Sequence, residues 1–90
     1  MAQELKQAFG LEIRLERVRQ GLSQRRLAAL AKVDRAHLSF IERGLVDPGI
    51  EVQHRLAQAL GTSVTRLWAL VAEETDPTPN PEGKGSRPKS

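Results

Sequence analysis

Cysteine is absent from this 90-residue chain, which excludes disulfides, thiolate metal sites and cysteine nucleophiles together. No apolar run approaches the roughly 20 residues needed to span a bilayer. The opening MAQELKQAFG is polar, unlike a secretory signal, so a soluble cytoplasmic protein with no membrane partner is expected. Strand patterning is missing as well: no stretch alternates apolar and polar residues, and the β-branched residues are scattered. The groupings that carry chemistry are equally scarce. His37 and His54 fall on different predicted helices with no second ligand at metal spacing. Ser23, Ser39 and Ser63 read as helix caps or surface residues, not nucleophiles. There is no phosphate-cradling glycine loop, and no acidic cluster of the kind metal-assisted phosphodiester cleavage requires. The expectation is therefore a non-enzyme with no catalytic residues, metal, cofactor or small-molecule ligand.

What is present is a small, helical, unevenly charged domain. Hydrophobic residues make up 39% of the chain, enough for a modest core but not for a deep enclosed pocket. The net charge is only +3, yet it is concentrated. Between Arg14 and Arg43 stand eight basic residues (Arg14, Arg17, Arg19, Arg25, Arg26, Lys32, Arg35 and Arg43) against three acids, a net of +5. From Gly44 to Glu74 two basic residues face four acids, a net of −2. Such a block suits a polyanion-binding face, and equally an ordinary solvated helical surface.

Five helices are predicted. The first spans about Glu4 to Gln20, with Leu5, Ala8, Phe9, Ile13 and Val18 as its apolar stripe; Gly10 interrupts it at about 1 kcal/mol, so its first turns are expected to fray. Gly21 ends it. Ser23 caps a helix from Gln24 to about Ala31, and Asp34 caps the next, from Arg35 to about Arg43, which Gly44 stops. The loop through Asp47, Pro48 and Gly49 leads to a helix from Ile50 to Leu60, stopped by Gly61. Ser63 caps the last, from Val64 to about Glu74. Residues 75–90, TDPTPNPEGKGSRPKS, hold no large apolar side chain and are expected to form a disordered tail. Residues 1–74 then form one all-α domain.

The most informative segment is GLSQRRLAALAKVDRAHLSFIERG, residues 21–44. Leu27, Ala28 and Ala31 lie at helical spacing on one helix, Leu38 and Ile41 on the next, with Val33 in the turn. Small Ala28 suits a close crossing of two short helices. At about 100° per residue, an inward side at Leu38 and Ile41 puts Ala36, Ser39, Phe40 and Arg43 on the outward side. Arg35 stands beside them at the N-terminal end. A major groove accepts that set, because arginine bonds guanine bidentately and alanine or phenylalanine can touch a thymine methyl. Phe40, a solvent-facing aromatic, needs a cover: DNA, neighbouring side chains or a partner subunit.

With the Asp47-Pro48-Gly49 loop and LAQALGTSVTRLWAL, this segment resembles the phage repressor and Cro-type (XRE) helix–turn–helix regulators. The resemblance covers roughly Phe9 to Leu70. Within that family AKVDRAHLSFIERG looks most like the controller proteins of restriction–modification systems, although antitoxins and prophage regulators share nearly the same pattern. It implies a compact five-helix bundle of the lambda-repressor type, and a transcription regulator that binds double-stranded DNA. By position, Arg35, Ala36 and Phe40 match base-facing residues, Gln24 and Arg43 match residues facing the DNA backbone, and His37 and Ser39 match positions nearer the flanking phosphates; Ser39 joins the base-facing set for its place on the outward side of the helix, and Arg25 the backbone-facing set for its charge at a helix N-terminus. Arg17 and Glu42 match a pair that forms a salt bridge between the first and third helices.

Two departures from the family pattern stand out. Lys32 occupies a turn position where glycine is frequent and positive φ is favoured, which implies strain or a different turn. Arg25 and Arg26 follow the Ser-Gln pair where the family often has an acid; arginines at a helix N-terminus oppose the macrodipole and invite a phosphate, or simply remain solvated. The last helix raises the question of a partner. Val64, Leu67, Trp68, Leu70 and Val71 present more apolar surface than one side of a short terminal helix needs, which suits either the core or an isologous homodimer interface through Val64, Leu67, Trp68 and Val71. A homodimer would place two recognition helices about 34 Å apart on a palindromic site. The rival reading is a protein-interaction module or antitoxin that keeps the fold and takes a protein as its main ligand.

Overall fold

The computed structural model describes residues 1–75. They form five α-helices and, among the described residues, no strand: α1 Gln3–Arg19, α2 Gln24–Ala31, α3 Arg35–Glu42, α4 Ile50–Ala59 and α5 Val64–Thr75. This is the all-α, five-helix bundle expected. The proposed tail lies outside the described residues, apart from Thr75 at the end of α5. None of the described helices is long and apolar enough to cross a membrane.

Local chemistry sets the helix boundaries. Ser23 Oγ accepts the Arg26 N–H at 3.0 Å and Ser63 Oγ the Arg66 N–H at 3.0 Å, so each hydroxyl satisfies a donor left open in the first turn. Asp34 accepts from the N–H groups of Ala36 and His37. α1, α3 and α4 each end with a glycine in the left-handed region and a paired set of backbone bonds, as where Gly21 donates to Val18 and Leu22 to Arg17. α2 ends with the same bond pattern, Lys32 to Ala29 and Val33 to Ala28, but here the left-handed residue is Lys32, at φ 58°. The turn is the glycine turn. A lysine in this left-handed region carries backbone strain that glycine would not.

The core gathers Phe9, Ile13, Leu27, Leu38, Ile41, Leu56, Leu67 and Val71, all below 2% exposure. α1 packs on α3 and α5, α2 on α3 and α4, and α4 on α5. Two expectations for α1 need correction. Val18 is 58% exposed and Leu5 also lies at the surface. Val18 follows Phe9 by nine residues, which at 100° per residue turns it to the opposite side of the helix. Leu5 lies in the first turn of α1, ahead of its first buried residue, Phe9. Gly10 is no weak point either. It is buried where α1 crosses the end of α3, and a Cβ there would land on the Ile41 carbonyl oxygen and within 2.9 Å of that of Glu42. Close approach of two backbones, not helix propensity, explains this glycine.

α5 is locked by an aromatic seam. The Trp68 ring stacks on Phe9, with centroids 4.9 Å apart and planes inclined by 25°. Its Nε1 donates to Gln53 Oε1 at 2.8 Å, and Gln53 Nε2 donates to the Pro48 carbonyl at 3.0 Å. Gln53 is buried, so both ends of its amide are satisfied inside the fold.

Candidate nucleic-acid interface

The candidate surface is built on the two short helices. The Asp34 cap fixes the first turn of α3, and Leu38 and Ile41 anchor its inner face in the core. Arg35, Ala36, Phe40 and Arg43 are then exposed, and His37 and Ser39 half-buried. Phe40 keeps 42% of its surface, and the Arg43 guanidinium carbon stands 5.3 Å from the centre of its ring. A cation–π contact at that distance gives the aromatic a partial cover within the chain, worth about 0.5–1 kcal/mol at an exposed site. Arg25 is exposed in the first turn of α2.

Behind this face runs a polar seam joining three helices. Arg17 Nε and Nη2 donate to Glu42 Oε2 and Oε1, at 2.7 and 3.1 Å. Arg17 Nη1 donates to the Leu22 carbonyl at 2.8 Å. The carboxylate takes a further bond from α2, since Gln24 Nε2 donates to Glu42 Oε1 at 3.0 Å. With its amide nitrogen held there, Gln24 turns its oxygen toward Arg35, whose Nη1 reaches it at 3.5 Å. The ion pair implied between α1 and α3 is present, and it extends by way of Gln24 to the first residue of α3. Both partners are largely withdrawn from water, with side-chain exposures of 12% and 3%. Such a pair holds by its fork geometry and its extra hydrogen bonds, which offset the cost of removing two charges from water.

A cleft of about 250 Å³ opens beside the seam, lined by Arg14, Arg17, Gln24, Ser39, Glu42 and Arg43. Glu42 neutralises Arg17, so Arg14 and Arg43 supply its free positive charge. Arg14 had no assigned role in the sequence reading. Its only signal was membership of the basic block, and eight basic residues do not reveal which of them share a recess.

The residues assigned to a partner surface on α5 divide. Leu67 and Val71 are buried within the chain's own core, at 0% and 1% exposure, and have no surface to offer. Val64 and Trp68 are half-buried. The apolar excess read on this helix therefore belongs largely to the contact with α1 and α4. Among the described residues, no group of three His, Cys, Asp or Glu side chains is placed to hold a metal ion.

Comparison with known proteins agrees with this geometry. A helix-turn-helix family profile matches residues 13–67. No curated protein matches the chain. Among solved structures, the clp gene regulator ClgR from Corynebacterium glutamicum is similar at 31% identity and a TM-score of 0.75, over 78% of this chain and 74% of that one. The restriction-modification controller protein C.AhdI from Aeromonas hydrophila is 34% identical with a TM-score of 0.67, over 69% of this chain and 94% of its own. The controller protein C.Esp1396I shares the fold at 24% identity, with a TM-score of 0.72. With five helices, a capped helix–turn–helix at residues 24–42 and a profile match across more than half its length, the chain belongs to the XRE-type helix–turn–helix family of DNA-binding regulators.

Proposed function

We propose that the chain is a sequence-specific, double-stranded DNA-binding transcription regulator that places α3 in the major groove. The observation that carries this reading is the seam from Glu42 through Gln24 to Arg35. A freely rotating arginine discriminates bases poorly; one whose guanidinium is steadied through Nη1 by a neighbouring amide keeps its other edge, Nε and Nη2, for the N7 and O6 of guanine. Ala36, Ser39 and Phe40 complete the base-facing set. Gln24, Arg25, His37 and Arg43 contact the flanking phosphates, joined by Arg14 from the cleft. The regulator works as a homodimer on a palindrome. Its interface on α5 uses the remaining surface of Val64 and Trp68, while Leu67 and Val71 support it from within.

Selection of binding sites from random duplexes, with sedimentation of the chain alone and with the enriched duplex, tests both halves. The expected result is a palindrome with half-sites one helical turn apart and a complex of two chains. No enrichment over random DNA overturns the base-reading assignment. A single half-site bound by one chain overturns the dimer.

A further inference from the structure

A second cleft, of about 430 Å³, opens between the C-terminal end of α2 and the face of α4, lined by Leu30, Ala31, Lys32, Arg55, Gln58 and Ala59. It has two cations, one amide and three apolar side chains, and no acid. Arg55 is half-buried, and its Nε lies out of contact with solvent with no hydrogen-bond partner. Among the described residues no ion pair includes it. Arg17, also half-buried, finds three acceptors. Beside Arg55 the lining offers Leu30, still 44% exposed, and Lys32 in its left-handed turn.

We propose that this cleft docks an acidic segment of a partner protein, a carboxylate seated on Arg55 and Lys32 and an adjacent apolar side chain on Leu30 and Ala59. The charge of the lining selects an anion, and the Nη groups of Arg55, unlike its Nε, remain open to solvent and can take a carboxylate bidentately. Half of the lining is apolar, which suits a carboxylate carried beside a leucine-like side chain better than a phosphodiester. The cleft also lies at the end of α2 remote from Gln24; eight helical residues at 1.5 Å each separate the two by about 12 Å. The proposal goes beyond the DNA reading without depending on it.

The test titrates the isotopically labelled full chain, followed by NMR, with three probes: an amphipathic peptide of leucine and glutamate, its leucine–lysine counterpart, and a random-sequence duplex. The leucine–glutamate peptide should move the amides of residues 30–33 and 55–59 together with the Arg55 Nε–H, and the leucine–lysine peptide should not. Arg55→Gln and Leu30→Ser should each weaken the peptide by about fivefold, the size of one modest contact, with unchanged thermal melting. Lys32→Asn, which removes the charge but tolerates the left-handed turn, should do the same. Peptide binding indifferent to these variants, or shifts centred on α3, overturns the proposal. So does movement of the same amides by the duplex, which would make the cleft a phosphate contact, or by raising the chain's own concentration, which would make it a self-contact. DNA binding by Arg55→Gln separates the two readings, since it should persist whichever way the peptide result falls.

Discussion

Two seams hold this bundle together, and they do so by opposite means. Beside α3, Arg17, Glu42, Gln24 and Arg35 form a directional chain of charged and amide groups. Behind α5, Phe9 and Trp68 stack and send one hydrogen bond to Gln53. The aromatic seam gains mainly from surface removed from water, which tolerates small displacements. The polar seam gains only while every partner is in place, because a buried group left alone keeps its desolvation cost. A surface that reads bases needs fixed directions, and the seam beside α3 is the less forgiving of the two.

The sharpest way to break that comparison is Glu42→Ala. It strands the Arg17 guanidinium in a largely buried site and frees the Gln24 amide, at an expected cost of about 3–5 kcal/mol. Urea unfolding measures it. A loss below about 1 kcal/mol would mean that the pair is no stronger than an exposed one. On the aromatic side Trp68→Ala should cost about 3 kcal/mol, at the low end for a tryptophan because the ring is only half-buried. Trp68→Phe should recover most of this by keeping the stack on Phe9 while losing the bond to Gln53. If the two variants are equally destabilised, the hydrogen bond and not the stacking holds α5.

Gly10→Ala tests the junction that serves both seams, since α1 carries Phe9 for one and Arg17 for the other. Its methyl group would meet the backbone of Ile41 and Glu42, which no side-chain rotation relieves. A loss of about 1–3 kcal/mol is expected, against a gain of about 1 kcal/mol if helix propensity governed the site. The sign of the change in melting temperature decides between them.

This glycine also shows where sequence reasoning reaches its limit. The helix ends were legible because caps and stops are local: Ser23, Asp34, Ser63, Gly21, Gly44 and Gly61 act on backbone groups a few residues away. The inner face of α3 was legible because Leu38 and Ile41 obey one helical period. Gly10 was not, since its reason is the backbone of another helix 31 and 32 positions along the chain. Val18 looked like a member of the α1 stripe because composition, not angle, suggested it. The link from Glu42 to Gln24 and the place of Arg14 depend on how three helices meet, which no single period encodes. Leu67 and Val71 were counted as spare surface on α5 because one helix alone cannot show how much of its apolar face its own neighbours consume.

On the function itself the comparison predicts a division of labour within the polar seam. Arg35→Ala should lose about 1–3 kcal/mol of discrimination at one base pair and little binding elsewhere. Gln24→Ala should weaken all sequences, as a phosphate contact does, and should also loosen the preference at the Arg35 base pair. Competition between single-base variants of the selected site separates these effects. Equal loss on every sequence in the Arg35 variant would reduce that residue to a backbone contact.

The smallest expected effect lies at the turn between the two helices of the motif. Lys32 is the only residue other than glycine with positive φ among the described residues, and its backbone bonds match those that glycine makes at the other left-handed helix ends. A non-glycine residue in this region costs about 1–2 kcal/mol, and glycine's greater freedom when unfolded returns about 0.5–1 kcal/mol of that. Lys32→Gly should therefore stabilise the fold by roughly 0.5–1 kcal/mol, visible as a rise of a few degrees in melting temperature. Neither seam includes Lys32, so base discrimination by Arg35 should be unchanged. A stabilised variant that reads its site less well would show that the turn's strain is felt at α3, and that the polar seam alone does not fix the reading face.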